Sequence, residues 1–422
     1  MKHETGDTLC GLAHFTGHRN HFDMISGNKL MAATVGVPRE SGAGERRVAL
    51  TPKACEALAK AKLQVIVERG AGQEAGFLDE DYVAKGAQLG SRAEVFAAAT
   101  VIVQAKTYGS NPDHGAEDLA LLRPGQLLIG FGDPLTSTLQ NAALASAGVS
   151  FFAMELVPRI TRAQAMDALS SMASIAGYEA VLLAAAALPK IFPMMMTAAG
   201  TITPAKVLIL GAGVAGLQAI ATARRLGAVV SAYDLRSAVK EQIESLGAKF
   251  VVLDLDTGGG EGGGGYAKAM DEAFYRRQRE LLTEVIREQD VVITTAAVPG
   301  RKAPILVTTQ MAEAMAPGSV IVDIAAERGG NCELTRVGET VVHKGVSVIG
   351  PANLPSRAPF HSSQMYATNI VNLLKLITKD GELNINMEDE IVRESLVTHG
   401  GMIVHPKLAP PSSSAATSEA TQ

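Results

Sequence analysis

Residues 206–234 constrain the fold of this chain more than any other stretch. A short apolar run, a glycine turn, a helical segment and a second apolar run ending in an acid follow one another in register. Val207 to Leu210 is continuous apolar sequence, as expected of a parallel strand covered on both faces. Gly211, Gly213 and Gly216 follow at once. In this pattern the first glycine permits the strand-to-helix turn and the second lets the backbone approach a pyrophosphate. The third lets the helix pack against the sheet, and the phosphate charge meets the helix N-terminus. Asp234 closes the next strand, where a carboxylate binds a ribose 2′-hydroxyl and repels a 2′-phosphate. The block therefore reads as a dinucleotide-binding unit favouring NAD(H) over NADP(H), although Arg236 beside the acid has the charge to accept a 2′-phosphate.

Apolar strands alternate with helical patterns on both sides of this block. Strand-like runs occur at Thr34–Val37, Val65–Val67, Val101–Val103, Leu127–Ile129 and Val149–Phe152, and again near 229–233, 249–253, 290–294, 319–323 and 346–349. Long helices are expected over 162–188 and 361–378. With 422 residues there is room for two cores. The expected fold is α/β, two Rossmann-like doubly wound parallel-sheet domains with a cleft between them. Residues 31–163 and 360–408 form the first domain, 164–359 the NAD(H)-binding domain, 1–30 a flexible N-terminal extension and 409–422 a flexible tail. Met31 is an alternative start.

Several classes are disfavoured. A net charge of −5 gives no reason to invoke nucleic acid. Cys10, Cys55 and Cys332 are scattered and odd in number, which argues against a disulfide framework, and none has metal-site spacing. His18 and His21 read as part of an unstructured extension rather than as a metal site, so no metal is expected. The uncharged stretch 135–154 is interrupted by Ser, Thr, Gln and Asn and reads as a helix plus a strand, so no spanning helix is expected.

Two further segments carry polar chemistry. Gly258 to Gly265, followed by Tyr266, is either a mobile lid that brings Tyr266 onto a cofactor or a passive linker. On the first long helix, Thr161 and Gln164 fit a capping box, while Gln164, Asp167, Ser170 or Ser171, and Ser174 recur as one narrow polar ridge among apolar residues. A cleft lining accounts for that ridge better than solvent exposure does, and Arg159 just before it would supply a fixed cation.

Taken together, Met154 to Ser171, Phe192 to Gly200, the glycine fingerprint, Gly264 to Lys268 and Ile293 to Gly300 closely resemble the NAD(H)-binding domain I of proton-translocating NAD(P) transhydrogenase. The likeness covers roughly residues 34–408. It implies that the chain binds NAD(H) and exchanges a hydride with NADP(H) held by a partner domain III, while a membrane domain II couples the exchange to proton movement. It implies an alpha subunit active only with those partners, peripheral on the cytoplasmic face of the membrane. A domain I dimer is implied as well. Carried over, Arg159, Gln164, Asp167 and Ser170 surround the nicotinamide end. Gly211, Gly213, Val214 and Gly216 form the turn, and Asp234, Leu235 and Arg236 meet the adenosine ribose. Gly265 and Tyr266 belong to the closing loop, with Gln278 and Ala297 lining the same cleft. Met194 to Met196 match a family motif too, or serve as adaptable packing.

Two other functions fit parts of the pattern. An alanine dehydrogenase of the same superfamily needs a Lys and a His in the first domain, where the aligned positions hold Gln104 and Phe131; Lys106 and His114 are nearby but out of register. A non-catalytic NAD(H) sensor would show the same glycines and acid. Gly130 to Pro134 departs from the transhydrogenase pattern, and residues 1–30 have no counterpart in it.

Overall fold

In a computed structural model that describes residues 33–253 and 272–408, the alternation of apolar runs becomes two separate sheets. The first takes β1 (Thr34–Val37), β2 (Gln64–Glu68), β3 (Gln88–Gly90), β4 (Val101–Lys106), β5 (Leu127–Phe131) and β6 (Ser150–Ala153). A hairpin, β7 (Met195–Thr197) and β8 (Gly200–Ile202), precedes the second sheet. That sheet takes β9 (Lys206–Leu210), β10 (Val229–Tyr233), β11 (Lys249–Phe250), β12 (Val291–Thr294), β13 (Val320–Asp323), β14 (Thr340–His343) and β15 (Val346–Ile349). After a small pair, β16 (Thr378–Lys379) and β17 (Glu382–Leu383), the chain returns to the first sheet as β18 (Leu396–His399) and β19 (Met402–Ile403).

The spatial orders are β3-β2-β1-β4-β5-β6-β18-β19 and β11-β10-β9-β12-β13-β15-β14. Both reverse direction beside their first strand, which opens a crevice at the carboxyl ends of β1 and β4 and of β9 and β12. The central strands are parallel and fully buried, hence their unbroken Val, Ile and Leu. The edges depart from the parallel pattern. β14 pairs antiparallel with β15 through a tight turn, and β18 runs antiparallel to β6 where the chain returns from the second domain.

The helix Ala168–Ala187 joins the two halves. Its first turns, Ala168 and Met172, pack with Val103, Ile129 and Tyr366, whereas Ala176, Ala180 and Ala184 pack with Val207 and Ile293. By length and composition alone it is the one helix among the described residues long and apolar enough to cross a membrane. Here it lies against the helix Val214–Arg225 and the return helix Pro359–Leu376, and its buried Glu179 pairs with Arg357 at 3.2 Å. The stretch 135–154 forms the helix Thr138–Ser146 and β6.

Met194, Met195 and Met196 are not core packing in this chain. They are 61%, 44% and 74% exposed at the hairpin β7–β8.

Candidate functional site

The second sheet's switch point holds the glycine turn. Gly211 takes φ +104, a conformation only glycine adopts freely, and Thr295 Oγ1 donates to its carbonyl at 3.1 Å. A Cβ on Gly216 would stand 1.9 Å from the Gly211 oxygen, so the third glycine sets how closely the helix Val214–Arg225 approaches the sheet. Gly213 is different: a Cβ there would meet nothing within 4 Å. It caps that helix without a side-chain hydrogen bond, leaving the first N–H groups to an outside acceptor. This open cradle fits a pyrophosphate. Val214 beside it is exposed.

Asp234 ends β10 and is tied back to the turn. Its Oδ2 accepts from the Ala212 N–H at 2.7 Å and from Arg236 Nη2 at 3.0 Å, and its Oδ1 from Arg236 N and Nε, both at 2.9 Å. Burial raises its pKa, but the Arg236 guanidinium and the backbone N–H groups outweigh burial and hold the carboxyl below its ordinary value. Leu235 is partly buried against the core on that side of the sheet.

A cavity of about 510 Å³ lies at the start of the helix Ala168–Ala187 and is lined by Arg159, Gln164, Asp167 and Ser170 together with Thr161, Ser171, Ser174 and Met365. The expected capping box at Thr161 and Gln164 does not form. Thr161–Met166 is a separate 3-10 helix without a side-chain cap, and Asp167 caps the long helix instead. Its Oδ1 accepts from Ser170 N at 2.9 Å and its Oδ2 from Ser170 Oγ at 2.6 Å. The 3-10 segment is fastened from the return helix, where Asn369 Nδ2 donates to the Ala165 carbonyl at 2.9 Å, and by a bidentate Arg162–Asp389 pair at 2.7 and 2.8 Å. Those anchors fix where Gln164 stands.

Cavity and glycine turn are joined by the close packing of the helix Ala168–Ala187 on the helix Val214–Arg225. Gly177 sits so close to the fingerprint helix that a Cβ would lie 2.1 Å from the Ala215 carbonyl oxygen. Ser170 is seven residues earlier on the same helix, about 10 Å along its axis. The structure does not bring every candidate to this place. Gln278 is buried and donates to the Tyr233 hydroxyl at 2.8 Å. Ala297 is exposed in the loop after β12. Gly265 and Tyr266 lie outside the described residues. Met365 reaches the cavity from a helix nearly two hundred residues away in sequence, and no local signal announces it.

The first sheet's switch point is filled by the protein itself. Glu40 reaches across from the segment after β1 and accepts the Ala105 and Lys106 N–H groups at 2.6 and 3.1 Å. Burial, helped by repulsion from Glu45, pushes its carboxyl up to about 8. Arg47 pairs with Glu45 at 2.6 Å, both fully enclosed; against the cost of burial, that cation pulls Glu45 down to about 2. Gln104 donates to Asp118 at 2.7 Å, and the Phe131 ring stacks on Tyr366.

A sheet ordered in this way, with an open glycine cradle at its switch point, defines a two-domain Rossmann-like dinucleotide-binding protein. Residues 36–176 match the family description "Alanine dehydrogenase/PNT, N-terminal domain", and residues 180–406 the corresponding C-terminal domain. The chain belongs to the alanine dehydrogenase/PNT family. It is 44% identical over 377 residues to the first of the chains that make up NAD(P) transhydrogenase subunit alpha in Rhodospirillum rubrum, covering 89% of this chain and 98% of that one. It is 46% identical over 376 residues to NAD(P) transhydrogenase subunit alpha of Haemophilus influenzae, covering 88% of this chain and 72% of that one. The solved transhydrogenase from Sinorhizobium meliloti superposes with a TM-score of 0.80 at 44% identity, over 88% of this chain and 100% of that chain.

Proposed function

We propose that this chain is the NAD(H)-binding alpha component of a proton-translocating transhydrogenase. It exchanges a hydride with NADP(H) on a partner domain III, and a membrane domain II couples the exchange to proton movement. The observation that carries the reading is the composition of the cavity wall: Arg159, Gln164, Asp167 and the serines are holders and hydrogen-bonding groups, with no Lys or His among the lining residues. When bound, the nicotinamide gives or accepts the hydride. No proton has to be delivered from a side chain, so the protein's task is to orient the ring and exclude water.

In this reading the Gly213 cradle takes the pyrophosphate, and Asp234 the adenosine ribose. Arg159, Gln164, Asp167 and Ser170 hold the nicotinamide end. Arg236 is bound to Asp234 on both carboxylate oxygens, which disfavours its use for a 2′-phosphate and supports NAD(H) as the ligand of this chain. Gly265 and Tyr266 are assigned to closure of the site. Attachment to the cytoplasmic face of the membrane comes through the partner subunits. The chain is a homodimer in this reading, and the exposed β7–β8 hairpin, with Met194, Met196 and Ile202, is the surface for a second copy. Light scattering on the wild type and on Met196→Glu checks it.

The alanine dehydrogenase reading is opposed by the closed first-sheet switch point, where Gln104 and Phe131 are committed to Asp118 and Tyr366. His114 is a surface residue beside Glu117. The deciding experiment runs two assays in parallel. Hydride transfer from NADH to an NADP analogue is measured with the chain mixed with a transhydrogenase domain III, and NADH formation from NAD and L-alanine with the chain alone. Transfer only in the mixture is expected. Alanine turnover would overturn the proposal, and NADH binding without either activity would favour a sensor.

A further inference from the structure

The segment Gly130 to Pro134 carries Asp133 across to the other half of the molecule. The Asp133 carboxylate accepts Arg328 Nη1 on Oδ2 at 2.7 Å and Nη2 on Oδ1 at 2.9 Å. Asp133 lies in the loop after β5, and Arg328 in the turn after β13, so the pair joins the carboxyl ends of the two sheets. A second contact lies alongside: a Cβ on Gly300 would stand 2.7 Å from Leu135 Cβ, so the loop that holds Ala297 packs directly on the loop that holds Asp133.

The chain accepts unfavourable local chemistry to make this contact. Asp133 sits at φ +48, in the left-handed region that most side chains disfavour and that Asp enters at a smaller cost. The conformation is held by Glu155, whose Oε1 accepts the Gly132 and Asp133 N–H groups at 2.9 and 2.6 Å, and by the following turn, where the Thr136 and Ser137 N–H groups donate to the Asp133 carbonyl at 3.0 Å. The other oxygen of Glu155 is buried without a partner. A buried carboxylate thus fixes the loop backbone from behind, and a forked guanidinium fixes its side chain from in front, a geometry that specifies distance and orientation together.

The geometry points to Asp133 and Arg328 as an interdomain clasp that sets the width of the dinucleotide cleft. They are positioning residues: Asp133 and Arg328 hold the turn after β13 against the first domain, beside the packing of Gly300 in the loop after β12 on Leu135. The effect on ligand binding rests on the proposed function, whereas the effect on cleft width does not.

The test uses the full chain with Cys10→Ser and nitroxide labels at Leu139→Cys and Val342→Cys, positions 81% and 67% exposed on the two halves; Cys55 and Cys332 are buried. Arg328→Gln, with Arg328→Lys as a milder variant that keeps the charge and loses the fork, is expected to broaden the inter-label distance distribution. The NADH dissociation constant is expected to rise by about fivefold or more, the size of an ordinary coupling between sites. The exchanged pair Asp133→Arg with Arg328→Asp is expected to narrow the distribution again. Distances unchanged in both Arg328 variants would overturn the clasp. Broadened distances in a chain whose wild type binds no NADH would leave the clasp standing and remove the cofactor reading.

Discussion

Arg236 grips Asp234 through Nε to Oδ1 at 2.9 Å and Nη2 to Oδ2 at 3.0 Å, so the acid at the end of β10 carries its own cation before any ligand arrives. The same carboxylate holds the Ala212 N–H of the glycine turn at 2.7 Å. Asp234→Ala therefore loosens the turn, frees Arg236 and, in the proposed function, removes the ribose acceptor. The expected outcome is NADH binding weakened by about tenfold or more, as for loss of a charged hydrogen bond, with NADPH binding relatively improved. Fluorescence titration of both nucleotides measures this, and an unchanged NADH curve would remove the role given to Asp234.

Two glycines of similar appearance are expected to fail in opposite ways. At Gly177 a Cβ would meet the Ala215 carbonyl at 2.1 Å, so Gly177→Ala forces the joining helix off the fingerprint helix and is expected to cost about 1–3 kcal/mol in urea denaturation. At Gly213 the φ is −74 and the space is open, so Gly213→Ala is expected to fold with near-normal stability while its methyl obstructs the pyrophosphate cradle. Equal losses of stability in the two variants would contradict this division.

Asp167 caps the long helix and also faces the cavity. Asp167→Ser keeps a cap and loses the charge, whereas Asp167→Ala loses both. Only the alanine variant is expected to lower stability, by about 1 kcal/mol, while both weaken NADH binding. Normal NADH affinity in the serine variant would reduce Asp167 to its capping role.

Burial pushes Glu40 up to about 8 and Glu155 up to about 7. Both folded-state values lie above the unfolded one, so the folded protein binds more protons, and stability is expected to fall as pH rises from about 4.5 through 7 to 8. Each pKa unit corresponds to about 1.4 kcal/mol. Glu45, held near 2 by Arg47, acts in the opposite sense and withdraws stability only as pH falls below 4.5. Melting temperatures across pH 5 to 8 should decline in the wild type and decline less steeply in Glu40→Gln, where Glu155 still contributes; an identical slope would mean that Glu40 is ionised throughout.

Residues 206–234 determined their own fold, because strand, turn, helix and acid are neighbours in the chain and their geometry depends on φ freedom and apolar periodicity alone. The polar ridge was legible in part: Gln164, Asp167, Ser170 and Ser174 do line one cavity, but only Ser170 and Ser174 share the long helix, Gln164 standing on the preceding 3-10 helix and Asp167 at the cap between them. Its local cap was misassigned, since whether Thr161 or Asp167 starts the helix depends on where Asn369 and Arg162 anchor the preceding segment. Met365, the clasp from Asp133 to Arg328 and the filling of the first switch point by Glu40, Glu45 and Arg47 were decided only by tertiary structure. These contacts join segments far apart in the chain, and local pattern carries no information about which loops two packed sheets will bring together.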